Sequence, residues 1–233
     1  MMDQRYHVIL LGAPGAGKST QSRLLSARFP MTVFATGQML RDEVARGTAL
    51  GVLADSYFQK GTLLPDDVMI AIMNERLRTV PSRRGVLLDG FPRTDSQAEA
   101  LDHMLRDVNR PLTAVIALSL SDEDAVHRLG GRRMCEGLGD PFPLHVDDTE
   151  SIAACKRLGG RVVVRPDDEP EVILQRLRVY DAETEPLIGF YEARGLLHRI
   201  SAAGKPEEVH AQIVEILEQA AHSREQAPAA QRR

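Results

Sequence analysis

Val8-Ile9-Leu10-Leu11-Gly12-Ala13-Pro14-Gly15-Ala16-Gly17-Lys18-Ser19-Thr20 is the stretch that decides the fold. A short apolar run suited to a buried strand feeds a glycine-rich turn, and a helix-compatible segment, Gln21 to Arg28, follows. Gly12, Gly17, Lys18 and Ser19 satisfy the phosphate-loop pattern G-x-x-x-x-G-K-[ST] in full. Glycines let the backbone wind so that several N–H groups, here those of Gly15, Ala16 and Gly17, converge on phosphate oxygens. The following helix adds its positive N-terminal end. Lys18 would reach the terminal phosphates, and Ser19 or Thr20 offers a hydroxyl to Mg²⁺. The competing reading is an ordinary strand–turn–helix corner with an accidental lysine. The strand before and the helix after favour a nucleotide site.

Outward from that loop, 233 residues make one large domain, or one domain with insertions, able to bury a core. A net charge of −4 gives no electrostatic case for nucleic acid or an anionic membrane as partner. Two cysteines, Cys135 and Cys155, are too few for a disulfide scaffold and fit a reducing compartment. The start of the chain is polar and its first apolar run is too short for a signal-peptide core. No run approaches the roughly 18 apolar residues of a membrane span. The expectation is a cytoplasmic protein, monomeric by default.

The rest of the chain alternates apolar strands with helices. Thr32 to Ala35 is a brief strand closed by Thr36-Gly37; Gln38 to Arg46, Leu50 to Lys60 and Asp66 to Thr79 read as helices. Gly85 to Asp89 is a buried strand ending in a carboxylate, and Thr94 to Val108 is helical. Ala114 to Leu120 is another strand, after which Ser121-x-x-Asp124 opens a helix like a capping box. From Gly130 to Glu169 regularity is lost, as in a functional lid or a small inserted unit. Helical order returns at Pro170, Leu196 to Ile200 is a last strand, and Pro206 starts a final helix. Residues 221–233 are expected to form a disordered tail. Uniformly apolar strands alternating with helices imply an α/β fold, a parallel sheet covered on both faces. Ligands of such sheets sit beyond the carboxyl ends of the strands. The phosphate loop, Thr36-Gly37, Asp89-Gly90 and Ser121 all lie at such ends.

Phosphoryl transfer asks a protein mainly for positioning and charge neutralisation. Asp89 stands where a phosphate-loop enzyme keeps its Mg²⁺-associated carboxylate. Arg93, Arg128, Arg132, Arg165 and Arg176 flank the crevice and the irregular segment. Arginine suits the task because its planar fork grips two phosphate oxygens and stays charged. Any one of them alone reads as a solvated surface charge.

Together these residues carry a resemblance. Gly12-Ala13-Pro14-Gly15-Ala16-Gly17-Lys18, Ala35-Thr36-Gly37-x-Met39-Leu40-Arg41, Asp89-Gly90-Phe91-Pro92-Arg93-Thr94-x-x-Gln97 and Gly131-Arg132-Arg133 resemble the successive signatures of the adenylate kinases, long-lid type. Arg165-Pro166-Asp167-Asp168, continuing to Arg176, is similar to the segment after that family's lid. The likeness spans about residues 6 to 218. It implies a five-stranded parallel core (1–34, 65–130 and 169–220), a helical AMP-binding insertion (35–64) and a lid (131–168). It also implies ATP + AMP ⇌ 2 ADP with Mg²⁺. By the same resemblance, Lys18, Arg93, Arg132, Arg165 and Arg176, with Asp89, serve the transfer. Residues 15–20, Arg128, Arg132 and the backbone at Lys205 hold ATP. Thr36, Arg41, Thr62, Leu63, Leu64, residues 90–93, Gln97, Arg165 and Arg176 hold AMP. Gln97 is also a respectable member of a capping box with Thr94, and Thr36 a respectable N-cap. Related pyrimidine monophosphate kinases usually carry asparagine where Gln97 stands, so AMP is the favoured acceptor.

The chain departs from the family pattern in three places. Gln38 replaces the aspartate usual after Thr-Gly, and Ser19 replaces a glycine. At the four places where the lid carries zinc ligands or a polar quartet stand Cys135, Leu138, Cys155 and Leu158. No structural zinc is expected in the lid, because leucine offers no ligand at two of those four places. Leu138 and Leu158 are instead expected to pack on each other and on free thiols. An irregular site from the cysteines with His145, Asp147 or Asp148 is the competing reading, and a Cys135–Cys155 disulfide is not expected in a reducing cytosol. A second class of function also stays open: a nucleotide-binding module of this fold with weak turnover, or a kinase for another nucleoside monophosphate.

Overall fold

The computed structural model describes residues 5–139 and 141–226. Strand β1 (His7–Gly12) feeds the phosphate loop and helix α1 (Lys18–Arg28); β2 (Met31–Ala35) runs into α2 (Thr36–Ala45) and α3 (Ala49–Phe58). Helix α4 (Asp66–Arg78) returns to β3 (Gly85–Asp89), and α5 (Asp95–Asp107) to β4 (Ala114–Ser119). Then come α6 (Asp122–Gly130), β5 (Arg132–Glu136), β6 (Phe142–His145), α7 (Thr149–Arg157) and β7 (Arg161–Val163). The chain closes with α8 (Pro170–Val179), a π-helical turn at Tyr180–Thr184, α9 (Leu187–Glu192), β8 (Leu197–Ser201) and α10 (Pro206–Gln226).

The main sheet has five parallel strands in the order β2-β3-β1-β4-β8, the α/β architecture expected from the apolar runs. Every residue of β1 and β3 is buried, and alternate side chains go to opposite faces. Ile9 and Leu11 join a core that includes Met73, Leu77 and Leu101 from α4 and α5. Val8 and Leu10 join the opposite core, with Leu25 of α1 and Ile213 and Leu217 of α10. Each such fully buried side chain contributes roughly 1.5–3 kcal/mol, which is why four-residue apolar runs suffice to fix the register. That register lines up the carboxyl ends: Ala35 and Leu10 both pair with Asp89, Gly12 with Leu118, and Ser119 with Ser201.

Several expectations are corrected. The stretch Gly130–Glu169 is not irregular: β6-β5-β7 form a second, antiparallel sheet with α7 beside it. Cys135 and Cys155 are not free thiols but a disulfide, with Cα atoms 6.1 Å apart. The close seat is made by Gly160, where a Cβ would fall 2.7 and 2.9 Å from the two sulfurs. Leu138 and Leu158 do not bury each other. Leu158 caps the C-terminus of α7 and is 72% exposed, and Leu138, beside the Gly137 and Gly139 turn, is 37% exposed. With the sulfurs bonded, thiolate ligation by Cys135 or Cys155 falls away too. At the C-terminus α10 runs on to Gln226, so residues 221–226 are helical rather than part of a tail; residues 227–233 lie outside the described residues.

Candidate functional site

The row of strand ends opens into a cleft of about 1010 Å³, at the upper end of the roughly 300–1,000 Å³ usual for small-molecule sites. Gly15, Ala16, Gly17, Lys18, Ser19, Thr20, Arg41, Thr62, Leu63, Asp89, Gly90, Pro92, Arg93, Arg128, Arg132, Arg165 and Arg176 all line it, so the fold gathers most of the expected residues around one space. Thr36, Leu64 and Gln97 line an adjoining side pocket that shares Gly37, Phe58, Gly90 and Arg93 with the cleft. Phe91 does not reach the cleft; it is buried in the core behind it. Lys205 is occupied in starting α10: its N–H donates to Glu208 Oε2 at 3.1 Å and its carbonyl accepts from Glu208 and Val209. Its neighbours Gly204 and Pro206 line the cleft instead.

Backbone conformation builds the floor. Gly17, the residue before α1, is left-handed at φ 85°, which turns the loop into the helix. Gly90 stands at φ 85°, and a Cβ there would lie 2.7 Å from both the Thr36 hydroxyl and the Arg93 guanidinium. The Thr36 hydroxyl donates to the Gly90 carbonyl at 2.8 Å, so Thr36 ties β2 to β3. It is the first residue of α2 rather than its N-cap. Arg93 Nε donates to the same carbonyl at 2.7 Å.

Gln97 takes part at the start of α5, one residue off the expected capping box: its side chain meets the N–H of Arg93 rather than that of Thr94. Thr94 caps α5 by accepting the Gln97 N–H, while Gln97 Oε1 accepts the N–H of Arg93 at 2.9 Å. Its Nε2 donates to Asp66 Oδ1 at 2.7 Å. Those partners fix which end of the amide is which, and leave one donor and one acceptor unused.

The charges are arranged as a cage with too few anions. Lys18 Nζ folds back to donate to the Gly12 carbonyl and, at 2.9 Å, to that of Ala13. Burial, only partly offset by Asp89 and reinforced by Arg93, Arg176 and Arg132, lowers its pKa to about 8. Burial and the facing Arg176 bring Arg93 down to about 10. Burial, with Arg41 and Arg132 nearby, brings Arg165 to about 10 as well. Among the described residues the Arg165 guanidinium has no hydrogen-bonded or ion-paired partner. Burial also lowers Arg41 and Arg176. Each lowering is a cost of crowding desolvated cations together, and an anionic ligand would relieve it.

Asp167 and Asp168 are the counter-charges that reading by motif left without a role. Arg132 donates from Nε to Asp168 Oδ2 at 2.7 Å and from Nη2 to Oδ1. Arg176 Nη1 reaches Asp167 Oδ2 at 3.0 Å and Asp168 Oδ1 at 3.2 Å. Burial alone would raise the Asp167 carboxyl, but Arg176, Arg41, Arg132 and Arg165 together hold it lowered. Two adjacent carboxylates two residues after an arginine were the available signal. Thr184, whose hydroxyl donates to the Arg93 carbonyl at 3.0 Å, had no sequence signal at all.

Oxygen donors for a hard cation lie at the loop. Ser19 Oγ donates to Asp89 Oδ2 at 2.9 Å, Ser22 Oγ approaches the same oxygen at 3.4 Å, and Thr20 lines the cleft alongside. Hydroxyl and carboxylate oxygens beside a phosphate loop are what Mg²⁺ takes, together with phosphate oxygens. Gln38 does not join them. Its Nε2 donates to Asp42 Oδ1 at 2.8 Å and its Oε1 accepts from Arg41 at 3.4 Å.

The adenylate kinase family model matches residues 10–196 of the chain. The chain is 41% identical over 211 residues to the adenylate kinase of Thermodesulfovibrio yellowstonii, an alignment covering 91% of this chain and 98% of that one. It is 42% identical over 212 residues to the adenylate kinase of Archaeoglobus fulgidus, covering 91% and 98%. To that of Methanocella arvoryzae it is 40% identical over 205 residues, covering 88% and 95%.

Proposed function

The chain belongs to the adenylate kinase family of phosphotransferases, and from that premise we propose that it passes the terminal phosphoryl group of ATP directly, in line, to AMP, giving two ADP. The observation that carries this reading is the cation cage. Lys18, Arg93, Arg132, Arg165 and Arg176 face one cleft, and the pKa of four of them is lowered by burial and mutual repulsion in a way that added phosphates would reverse. A transferring phosphoryl group spreads charge over its equatorial oxygens, and preorganised cations in a water-poor site stabilise it most.

In this reading residues 1–34, 65–130 and 169–220 form the core, 35–64 an acceptor-binding insertion and 131–168 a lid. The loop from Gly15 to Thr20 holds the ATP phosphates, Arg128 and Arg132 close on ATP, and the turn at Lys205 borders its base. Thr36, Arg41, residues 62–64, Gly90, Pro92, Arg93 and Gln97 hold AMP, with Arg165 and Arg176 on its phosphate; Phe91 supports them from the core. The unused donor and acceptor of Gln97 match an adenine edge. Asp89 and Ser19, with Thr20 beside them, would hold Mg²⁺, which when bound neutralises phosphate charge. Lys18 exchanges its two loop carbonyls for phosphate oxygens. In this reading the protein is a monomer acting on cytoplasmic nucleotides, and its net charge of −4 offers no electrostatic attraction to nucleic acid or an anionic membrane.

The test is ADP formation from ATP with AMP, CMP or UMP, followed in a coupled assay. Turnover with AMP, and a kcat/KM with CMP or UMP lower by about a hundredfold, is the expected result. Comparable rates with CMP would overturn the adenine assignment. Nucleotide binding without ADP formation would overturn the enzyme in favour of a binding module, the reading that Gln38 supports by turning to Arg41 and Asp42 rather than to Asp89.

A further inference from the structure

Two imidazoles and a carboxylate meet where the core passes into the small sheet. His127 lies in the last turn of α6, His145 ends β6, and Asp147 follows two residues later, ahead of α7. Each offers one ligand atom, and the three atoms lie within 4.8 Å of one another. His145 Nδ1 and Asp147 Oδ2 are 3.1 Å apart. Tetrahedral zinc with ligands at about 2.0–2.1 Å places neighbouring donors about 3.3 Å apart. That edge of the site is therefore already at coordinating separation. The His127 and His145 rings lie 5.2 Å apart, centroid to centroid, and His127 is exposed, so its ring can turn to complete the set.

The His145 ring is seated for this geometry. Its Nε2 is buried against Gly131, where a Cβ would fall only 2.0 Å away. Nδ1 is left as the nitrogen facing Asp147. There it meets the Asp147 backbone N–H at 3.3 Å and the Asp147 carboxylate at 3.1 Å. Protons alone do not satisfy both. An unprotonated Nδ1 accepts the N–H but turns a lone pair toward the carboxylate; a protonated one serves the carboxylate but meets the N–H head-on. A cation between Nδ1 and Oδ2 converts the facing lone pairs into two ligand bonds; Nδ1 then no longer accepts the Asp147 N–H, and the ring proton stays on the buried Nε2.

We propose that His127, His145 and Asp147 bind one Zn²⁺ ion and thereby pin the small sheet to helix α6. Two imidazoles and one carboxylate suit zinc, or another borderline divalent ion, rather than Mg²⁺, which prefers oxygen donors. Three protein ligands leave a fourth position for water, at the rim of the cleft that His145 itself lines. The site is separate from Cys135, Leu138, Cys155 and Leu158, where the sulfurs are bonded to each other and leucine has no donor.

Titration of the oxidised full chain with zinc chloride near neutral pH, by calorimetry and without nucleotide, tests the site. One equivalent should bind, persist in excess Mg²⁺ and raise Tm. His127→Ala and Asp147→Asn, both at exposed positions, should each weaken that binding by about tenfold or more. No stoichiometric binding, displacement by Mg²⁺, or binding unchanged in both variants would overturn the proposal. Because the readout is bound metal and not turnover, failure here leaves the phosphoryl-transfer reading standing, and failure of that reading leaves this one.

Discussion

The floor of the cleft and the small sheet beside it are held in opposite ways. The floor rests on parallel strands buried on both faces and brings Lys18 and Arg93 to the cleft, where Arg41, Arg128, Arg132, Arg165 and Arg176 join them from the surrounding elements. The small sheet has strands of three to five residues. It buries Met134, Cys135 and Cys155 but leaves Phe142, Leu138 and Leu158 exposed. One covalent link, Cys135–Cys155, joins its α7 to β5. The contrast teaches that a small unit with little core needs a cross-link where a doubly buried sheet does not.

The largest expected effect lies on the floor. Lys18→Met or Arg93→Ala should lower turnover by at least about two decades, on the order of 3 kcal/mol of transition-state stabilisation. Circular dichroism and Tm should stay near wild type, because both side chains face the cleft. A folded Arg93→Ala protein with near-wild-type turnover would remove Arg93 from the transfer.

Next comes the link in the small sheet. Replacing both Cys135 and Cys155 by Ala should destabilise that sheet by about 3 kcal/mol, the chain-entropy value for a loop of roughly this length. Amide exchange should accelerate in residues 132–163 while β1, β3 and β4 keep their protection. Equal acceleration in both regions would show that they unfold as one unit and would erase the contrast.

The two regions also differed in how far they could be read from sequence. Gly17-Lys18 and Asp89-Gly90 were legible because buried parallel strands are continuous apolar runs, and the turns that leave them need glycine. Gln97 and Thr36 were legible as types, but only the structure separates their roles: Gln97 is held by Arg93 and Asp66, and Thr36 ties β2 to β3. The small sheet was misread because Arg132–Glu136 carries charges at both ends and α7 is a nine-residue helix, too short for a clear period. The same limit hid α9, whose pattern is interrupted by the π-helical turn and Pro186. The disulfide was discounted on cell compartment, whereas the deciding factor was local: Gly160 lets α7 approach β5 closely.

A pH effect of about tenfold per unit probes the floor from another side. The Lys18 pKa in the unliganded protein is lowered to about 8. As pH rises through that value the lysine loses its proton, so kcat/KM, which reports the free enzyme, should fall about tenfold per unit above it. In the complex, phosphate raises the pKa, and the limb in kcat should move to higher pH. Stability has the opposite sign. Between about 8 and the ordinary lysine value of about 10.4 the unfolded chain binds more protons than the folded one, so this residue's contribution to stability rises with pH. Alkaline limbs at the same pH in kcat and kcat/KM would show that Lys18 does not gain phosphate contacts.

The smallest effect is expected at Gln38, between the two extremes: on α2, lining the cleft, yet bonded away from Asp89. Its amide carries no charge, so it links Arg41 and Asp42 without altering the balance of the cage. Gln38→Asp would add an anion two residues beyond Thr36, where the resemblance places a group that orients Mg²⁺-bound water. The new carboxylate would be drawn to Arg41 and repelled by Asp42, both of which turn it from its present partner toward the cleft. Groups that orient metal-bound water rather than the metal commonly matter about tenfold or more, and competition from Arg41 should reduce that to a few-fold. The Mg²⁺ concentration giving half-maximal turnover should therefore fall a few-fold, with kcat at saturating Mg²⁺ little changed. An unchanged Mg²⁺ titration would mean that Gln38 belongs with Arg41 and the acceptor side of the cleft, and that Asp89 and Ser19 serve the metal without help from α2.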